Sequence, residues 1–416
     1  MFRSIRLFIT AALTLMIAAC TSTLPEGGEM RYARWLTMGD STATVLNPWR
    51  PGEVLHSYPL PQAGEAYSRA VSATSLHAYL AYRLGALDHL AGVMDADYIV
   101  APELKAAIAT KAPASTESAT KAPASTESAT KAPASTESVP KAPASTESVP
   151  PFPAVDGGAT LADMGSSQSP NLERIKAAGA DLIFASPFEN AGYGQLETLG
   201  IPIVECADYM EATPLGRAEW MRFYGRLLGR AEKADSLFAA EEEAYATLCS
   251  LRRVAEPQPQ IAPQASPHLP TLLLGKRSGQ AWYVPGGQSY LGTLLHDADA
   301  HYVFADEAST GSVPLDFEAV YSRAKDADLW LITYAAPPAE DGTFVPLTYA
   351  ALAAEDERYA QFRAFREHHI WACNTLEVPY YDALPWTPAA LLRDVILIAH
   401  PERFPGEKPH YFRPLE

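Results

Sequence analysis

The sequence predicts an α/β protein with two Rossmann-like lobes, each built on a central mostly parallel sheet, joined by a single long α-helix. Short apolar runs such as "DLIFAS", "IPIVECA", "TLLLGK" and "ADLWLITY" alternate with helical patterns, which gives parallel strands with crossover helices. Residues 214–254 interrupt that alternation near mid-chain with helical periodicity alone, and their second part, about 25 residues, reaches roughly 37 Å at 1.5 Å per residue. At 416 residues and 48% hydrophobic composition the chain can form two domains.

The chain begins "MFRSIRLFITAALTLMIAAC". Arg3 and Arg6 precede an apolar run too short to span a bilayer, so residues 1–19 read as a signal peptide. The Ile-Ala-Ala-Cys ending resembles a bacterial lipobox, which implies lipidation of Cys20 and makes residues 20–30 a lipid-anchored tether. No later stretch is apolar for long enough to cross a membrane.

The N-terminal lobe covers 31–213. "RAVSATS" leads into the helical "LHAYLAYRLGALDHL", "LAGVMD" returns as a strand, and "NLERIKAAGA", "DLIFAS", "GYGQLETLG" and "IPIVECA" continue the alternation. Inside this lobe lies an insertion, 109–152, of four near-identical decapeptides of the type "KAPASTESAT". Such a unit cannot offset its ordering entropy by burial and reads as a disordered loop, with Ser, Thr and Pro that would permit O-glycosylation. Thr213 caps the inter-lobe helix, 214–254, Pro214 fills its first turn, and Gly229 is its one break point. A Pro/Gln-rich connector, 255–269, follows. The C-terminal lobe, 270–416, holds the strand "TLLLGK", a turn region "AWYVPGG", helices "SYLGTLLHDADA" and "DFEAVYSRAKD", strands "ADLWLITY" and "HHIWACNTL", and a terminal helix from about Pro388.

A formal charge of -17 leaves no electrostatic footprint for a phosphate backbone, so nucleic acid is excluded as a partner. Cys206, Cys249 and Cys373 lack C-x-x-C spacing and suggest neither a disulfide framework nor a zinc site; they read as small buried residues. The ten histidines are scattered apart from His368-His369, and no cofactor is expected. Direct metal-ion binding stays open as an alternative, as does a purely structural surface lipoprotein. A weaker alternative is an esterase, since Gly39-Asp40-Ser41 matches a Gly-Asp-Ser nucleophile block. Neither "LIAHPERF" nor "EKPHYF" offers the Asp-x-x-His partner, and there is no G-x-S-x-G elbow.

"NLERIKAAGADLIFAS" and "DFEAVYSRAKDADLWLITY" echo each other across the lobes, each with a Glu in the first turns of a helix followed by Ala-Asp-Leu and a strand. With the lipobox, the long helix and "VSATSLHAYLAYRLGALDHLAGVMDADY", the chain resembles the class III solute-binding proteins of ABC importers, which include cobalamin, siderophore and haem binders. "ADYMEATPLGRAEW" resembles the iron-compound binding lipoproteins among them. The resemblance implies a monomeric, non-enzymatic binding lipoprotein of the periplasm, held on a bacterial membrane, the inner one favoured. It would capture an iron chelate (siderophore or haem) or a corrinoid in the inter-lobe cleft and deliver it to an ABC permease and its ATPase.

In open α/β sheets ligands bind outside the carboxyl ends of the strands. The resemblance therefore places the N-lobe wall at Ser72, Thr74, Ser75, Ser166, Ser167, Gln168, Ser186, Phe188, Asn190, Tyr193, Asp208 and Tyr209. The C-lobe wall falls to Lys276, Arg277, Trp282, Tyr283, Gln288, Tyr334, Asn374, Tyr380, Tyr381 and Trp386. Lys276 and Arg277, an adjacent basic pair at a strand end, could face a ligand carboxylate. Glu173 and Glu318 match the two acidic positions that dock the permease. The turn "GSSQSP" carries neither the Tyr of the family's haem binders nor the Trp of its cobalamin binders, so no ligand class is singled out.

Overall fold

Runs of apolar residues covered on both faces form the centre of each lobe, the pattern expected where helices flank a parallel sheet. The computed structural model describes residues 30–108, 160–253 and 269–416. The signal peptide, Cys20, most of the tether, the decapeptide repeats and nearly all of the connector lie outside the described residues. In the N-lobe, strands β4 (Ala70–Ser72), β5 (Leu90–Val93), β6 (Ala162–Asp163), β9 (Leu182–Ala185) and β10 (Ile203–Glu205) make a wholly parallel sheet in the order β10-β9-β4-β5-β6. Helices α1 (Ser75–Leu84), α2 (Pro102–Ala107) and α3 (Leu172–Ala177) are its crossovers, with a small hairpin, β7 (Gly165–Ser166) and β8 (Ser169–Pro170), ahead of α3. A Cβ on Gly92 would lie 2.3 Å from the Ala162 carbonyl, so glycine lets β5 and β6 approach. Ile108 and Leu161 form a parallel bridge, which brings the two ends of the insertion together at the amino end of β6.

An antiparallel sheet not anticipated from the sequence opens this lobe and shares its core: β1 (Leu36–Met38), β2 (Thr42–Leu46) and β3 (Val54–Pro59). Ser41 sits in its first turn, where the Gly39 N–H meets the Thr42 carbonyl. That position is the tip of a hairpin between two antiparallel strands.

The C-lobe sheet runs in the order β14-β11-β16-β17-β18, from β11 (Thr271–Leu274), β14 (His301–Tyr302), β16 (Leu329–Tyr334) and β17 (Ile370–Asn374), with β18 (Arg413–Pro414) antiparallel at one edge. Around it lie α6 (Tyr290–Asp297), α7 (Phe317–Ala324), α8 (Tyr349–Glu355), α9 (Arg363–Arg366), α10 (Tyr380–Ala383) and α11 (Pro388–Ala399). The "AWYVPGG" turn region is instead mostly strand: β13 (Ala281–Pro285) pairs with β12 (Arg277–Ser278) and β15 (Ser312–Leu315). Its alternation, Trp282 and Val284 buried with Tyr283 exposed, is that of a half-covered strand. Side chains of Asn171, Ser289, Asp316 and Thr348 each accept the N–H three residues on and so start α3, α6, α7 and α8.

The expected single helix over 214–254 is two helices, α4 (Pro214–Leu227) and α5 (Ala231–Arg253). Thr213 does cap the first, but Gly229, at φ +63°, turns the chain back. Arg222 Nε reaches Asp235 at 2.7 Å, and a Cβ on Gly225 would lie 2.4 Å from that of Ala234, so the two helices pack as an antiparallel hairpin. Helix α4 stays in the N-lobe, burying Trp220, Phe223, Tyr224 and Leu227. Helix α5 carries Phe238 in the N-lobe core and Tyr245 in the C-lobe core.

Two buried carboxylates of α4 and its approach hold the start of the described chain. Glu219 accepts the backbone N–H groups of Arg31, Tyr32 and Ala33 at 2.7–3.1 Å. Glu211 accepts those of Arg34 and Trp35 at 2.9 Å, with the Trp220 indole N–H at 3.0 Å. Burial raises Glu211 from its usual range against these bonds.

Helix α5 also supplies a missing cap. Thr387 makes no side-chain bond at the start of α11, and the Ala389 N–H donates instead to the Glu241 carboxylate at 2.5 Å. Burial pushes Glu241 up from 4.5 to about 7, although the Ala389 bond and Arg83 oppose it. A carboxyl raised in the folded state binds its proton more tightly there, so its contribution is fullest below about 4.5 and declines as pH rises to about 7. Glu241→Gln is expected to flatten that decline and to stabilise the chain at pH 8 by about 1–3 kcal/mol. Denaturant unfolding across pH 4–8 checks this; parallel profiles for the two proteins would refute it.

Candidate ligand-binding site

The carboxyl ends of the N-lobe strands lead to the other lobe. After β4, the Leu76 carbonyl accepts the Trp386 indole N–H at 2.9 Å. After β5, the Val100 N–H donates to Asp382 at 3.2 Å. Beyond β10, the Ala212 carbonyl accepts the Thr293 hydroxyl at 3.0 Å. On the C-lobe side, the segment after β17 supplies α10 and Trp386.

The exposed aromatic rings follow the same topology. Among the described residues, four large aromatic side chains are exposed: Tyr98, Phe188, Tyr283 and Tyr381. Each lies downstream of the carboxyl end of a core strand, β5, β9, β11 and β17 respectively. Tyr98 and Tyr381 stand close in sequence to the Val100–Asp382 contact, and Phe188 pairs with half-buried Tyr209 at a ring separation of 6.2 Å. Val345, exposed in the loop after β16, adds an aliphatic group. Tyr98 and Val345 were missed from the sequence. "DADYIV" directly follows a strand and could have pointed to Tyr98.

Other expected wall residues stand nearby in polar surface: Ser166, Ser167, Gln168, Asn190 and Gln288 are exposed, and Ser75 and Ser186 half-buried. Tyr334 and Asn374 line a shallow, open recess at the carboxyl ends of β16 and β17, beside the Glu377–Arg413 ion pair.

Several expected wall residues are elsewhere. Ser72 is fully buried and its hydroxyl donates to the Thr74 carbonyl. Tyr193 donates to Glu205 at 2.8 Å on the edge strand. Trp282 stacks on Trp330 in the C-lobe core with its N–H on the Leu274 carbonyl. Tyr380 is buried beside Tyr411 and Phe412. Asn374 is buried and holds the backbone of Ala336 and Leu376. Lys276 pairs with Glu355 and Arg277 with Asp356, so neither cation is available as an unpaired anion receptor. Arg358 and Arg277 together hold Asp356 below the usual carboxylate range.

Asp208 and Trp386 belong to a buried node joining the lobes. Trp386 is 2% exposed, and its ring lies 5.9 Å from both His77 and Tyr224 within the N-lobe core. His77 bridges Thr74 Oγ1 (2.5 Å, at Nδ1) and Asp208 Oδ1 (3.0 Å, at Nε2). Tyr224 donates to the same Asp208 oxygen at 3.0 Å, and Arg217 lies 3.6 Å from the other. Burial would raise Asp208, but His77, Arg217 and Tyr224 outweigh it and hold the carboxyl low. Arg217 also sits over the ring of Tyr290, a C-lobe residue. Thr74 and Arg217 are the half-buried members of this chain, while His77, Asp208 and Tyr224 are buried.

Glu173 and Glu318 occupy the first turns of α3 and α7 as expected, both exposed. Glu318 has an intramolecular neighbour, Arg358, at 3.6 Å. Cys206 and Cys373 are buried and Cys249 half-buried, and none forms a disulfide. Among the described residues no three His, Cys, Asp or Glu side chains gather as a metal site, and no helix is long and apolar enough to cross a membrane.

Residues 108–375 match the periplasmic binding protein family. An uncharacterized lipoprotein of Methanocaldococcus jannaschii is 27% identical over 262 residues, 61% of this chain and 56% of that protein; the chain thus spans little more than half of this relative's length. The fold is similar to a periplasmic binding protein from Veillonella parvula (TM-score 0.55, 12% identity, covering 87% of this chain and 99% of that one). It is also similar to a periplasmic heme-binding protein from Pseudomonas aeruginosa (TM-score 0.52, 17% identity, covering 84% and 98%).

Placing Trp386 in the node and not in a ligand wall has a measurable consequence. Trp386→Ala is expected to cost about 3–5 kcal/mol of stability, the range for emptying a large aromatic from a core. Denaturant unfolding gives the number; a loss below about 1 kcal/mol would return the ring to the ligand wall.

Proposed function

The chain belongs to the periplasmic binding protein family, and from that premise we propose that it captures a solute between its lobes and hands it to an ABC permease and its ATPase. The solute is an iron chelate, haem among them, or a corrinoid, and the protein works in the periplasm from a lipid on Cys20. One observation carries this reading: the four exposed aromatic rings among the described residues, Tyr98, Phe188, Tyr283 and Tyr381, each follow the carboxyl end of a core strand in the chain. Leaving a large apolar side chain in water forgoes about 1.5–3 kcal/mol of burial, so exposed rings that recur after strand ends are candidates for surface that a ligand covers. A broad, partly apolar chelate or macrocycle covers such rings, with the serines, Thr74 and Gln168 left to orient its polar edge. The pairing of Lys276 and Arg277 with acidic neighbours supports a ligand held by rings over one held by unpaired charge.

An absorbance spectrum of the protein purified from its own cells tests the ligand, because a Soret band, a corrinoid spectrum and a charge-transfer band each select a different one. Phe188→Ala and Tyr381→Ala are then each expected to weaken that compound by about tenfold, the loss of roughly 1.4 kcal/mol of ring contact. Unchanged titrations for both variants would move the site away from these rings.

Docking is proposed for Glu173 and Glu318, two exposed carboxylates on opposite lobes that read lobe spacing by position and sign. The double variant Glu173→Ala with Glu318→Ala is expected to abolish uptake while solute affinity stays within a few-fold. A parallel loss of affinity would remove the docking role.

A further inference from the structure

We propose that His77 is a positioning residue whose own proton decides whether Thr74 offers the inter-lobe space a hydrogen-bond acceptor or a donor. The inference rests on the reading of that space as the ligand site, and it adds a proton linkage to it.

The chemistry follows from which atoms face each other. Ionised Asp208 only accepts, so the ring nitrogen facing it, Nε2 at 3.0 Å, carries hydrogen. In the neutral ring Nδ1 is then bare, and at 2.5 Å it accepts the Thr74 O–H. Thr74 is left with lone pairs alone for anything beyond it. Adding a proton to Nδ1 reverses that bond: the ring N–H donates to Oγ1, and the hydroxyl hydrogen turns outward as a donor. The contact between the two side chains persists in both states, so the switch changes the polarity at Thr74 without requiring the lobes to move.

The surroundings confine the change to His77. Asp208 and Cys206 face the node from the end of β10, Arg217 and Tyr224 from α4, and Tyr290 from α6 across Arg217. Asp208 and Arg217 are the ionised pair and offset each other, while burial, with Asp208 adding to it, keeps the Cys206 thiol protonated and burial likewise keeps the Tyr224 phenol protonated. Packing by Trp386 and Phe184 on either side restrains the imidazole against rotation, so its two nitrogens keep separate partners. Half-buried Thr74, whose hydroxyl meets Nδ1, links the buried imidazole to its less buried surroundings. A ligand with a carboxylate or carbonyl oxygen at Thr74 therefore binds more tightly when His77 is protonated.

Nitrogen-15 NMR of the full chain labelled at histidine decides the linkage without a ligand, the ring being assigned by its Overhauser contacts with the Trp386 indole. The neutral ring is expected to show hydrogen at Nε2 and an acceptor-type Nδ1. Thr74→Val is expected to shift Nδ1 alone, and Thr74→Ser to restore it. Hydrogen at Nδ1 in the neutral ring, or an Nδ1 signal indifferent to Thr74→Val, overturns the proposal. In a second arm, hemin is expected to bind about tenfold more tightly at pH 5.5 than at pH 8. Thr74→Val should bring that ratio to near one and Thr74→Ser should restore it; a ratio unchanged by Thr74→Val also overturns the proposal. Hemin that binds at neither pH counts against the ligand reading, and the ring measurement then decides the linkage alone.

Discussion

The structure depends on one side chain lodged in the half of the molecule to which it does not belong. Trp386 comes from the C-terminal segment between α10 and α11, yet its indole is packed against His77 and Tyr224 and bonded to the Leu76 carbonyl. An aromatic body with one polar atom suits this place, since the ring fills apolar space and the N–H still meets a partner. A contact in the opposite sense comes from Arg217 of α4, which lies over the ring of Tyr290, a C-lobe core residue whose hydroxyl donates to the Leu384 carbonyl. The lobes therefore meet through interlocked side chains, a joint that resists wide separation while leaving the rings beyond it exposed.

Around that joint, buried charge is consistently answered. Asp208 is met by His77, Tyr224 and Arg217; Glu211 and Glu219 are met by the backbone N–H groups of residues 31–35; Glu241 caps α11. Burying a carboxylate is costly unless partners meet it, and each of these joins two parts of the chain that are distant in sequence; Asp208 Oδ2 has no hydrogen bond and is met by the Arg217 charge alone, at 3.6 Å. The exposed rings are the complementary feature, apolar surface left uncovered.

Much of the architecture was legible because it is written in short-range pattern. Continuous apolar runs between helical periods marked the central strands of both lobes, and Thr213-Pro214 marked a helix start that the structure keeps. What failed failed for tertiary reasons. Gly229 permits either a kinked helix or a reversal, and only the fit of Gly225 against Ala234 makes reversal the favourable outcome. The side sheet of β13 was read as a turn region because its local partner, β12, is only two residues long and its main partner, β15, lies some thirty residues away. Likewise an aromatic at a strand end can turn inward, as Trp282 and Tyr380 do, or outward, as Tyr283 and Tyr381 do, with neighbours in space deciding.

By itself, then, the amino-acid order determined the fold class, the two-lobe division and the level of the sheet ends at which a site could form, since all three follow from periodicity within a few residues. Tertiary structure alone decided which of the candidate side chains reach that level. Lys276 and Arg277 are neutralised by Glu355 and Asp356, some eighty residues further on, and Trp386 is claimed by the N-lobe, its indole bonded to Leu76, 310 residues before it. Burial and charge pairing are properties of contact in space, and local sequence carries no record of which distant residue will arrive to make the contact.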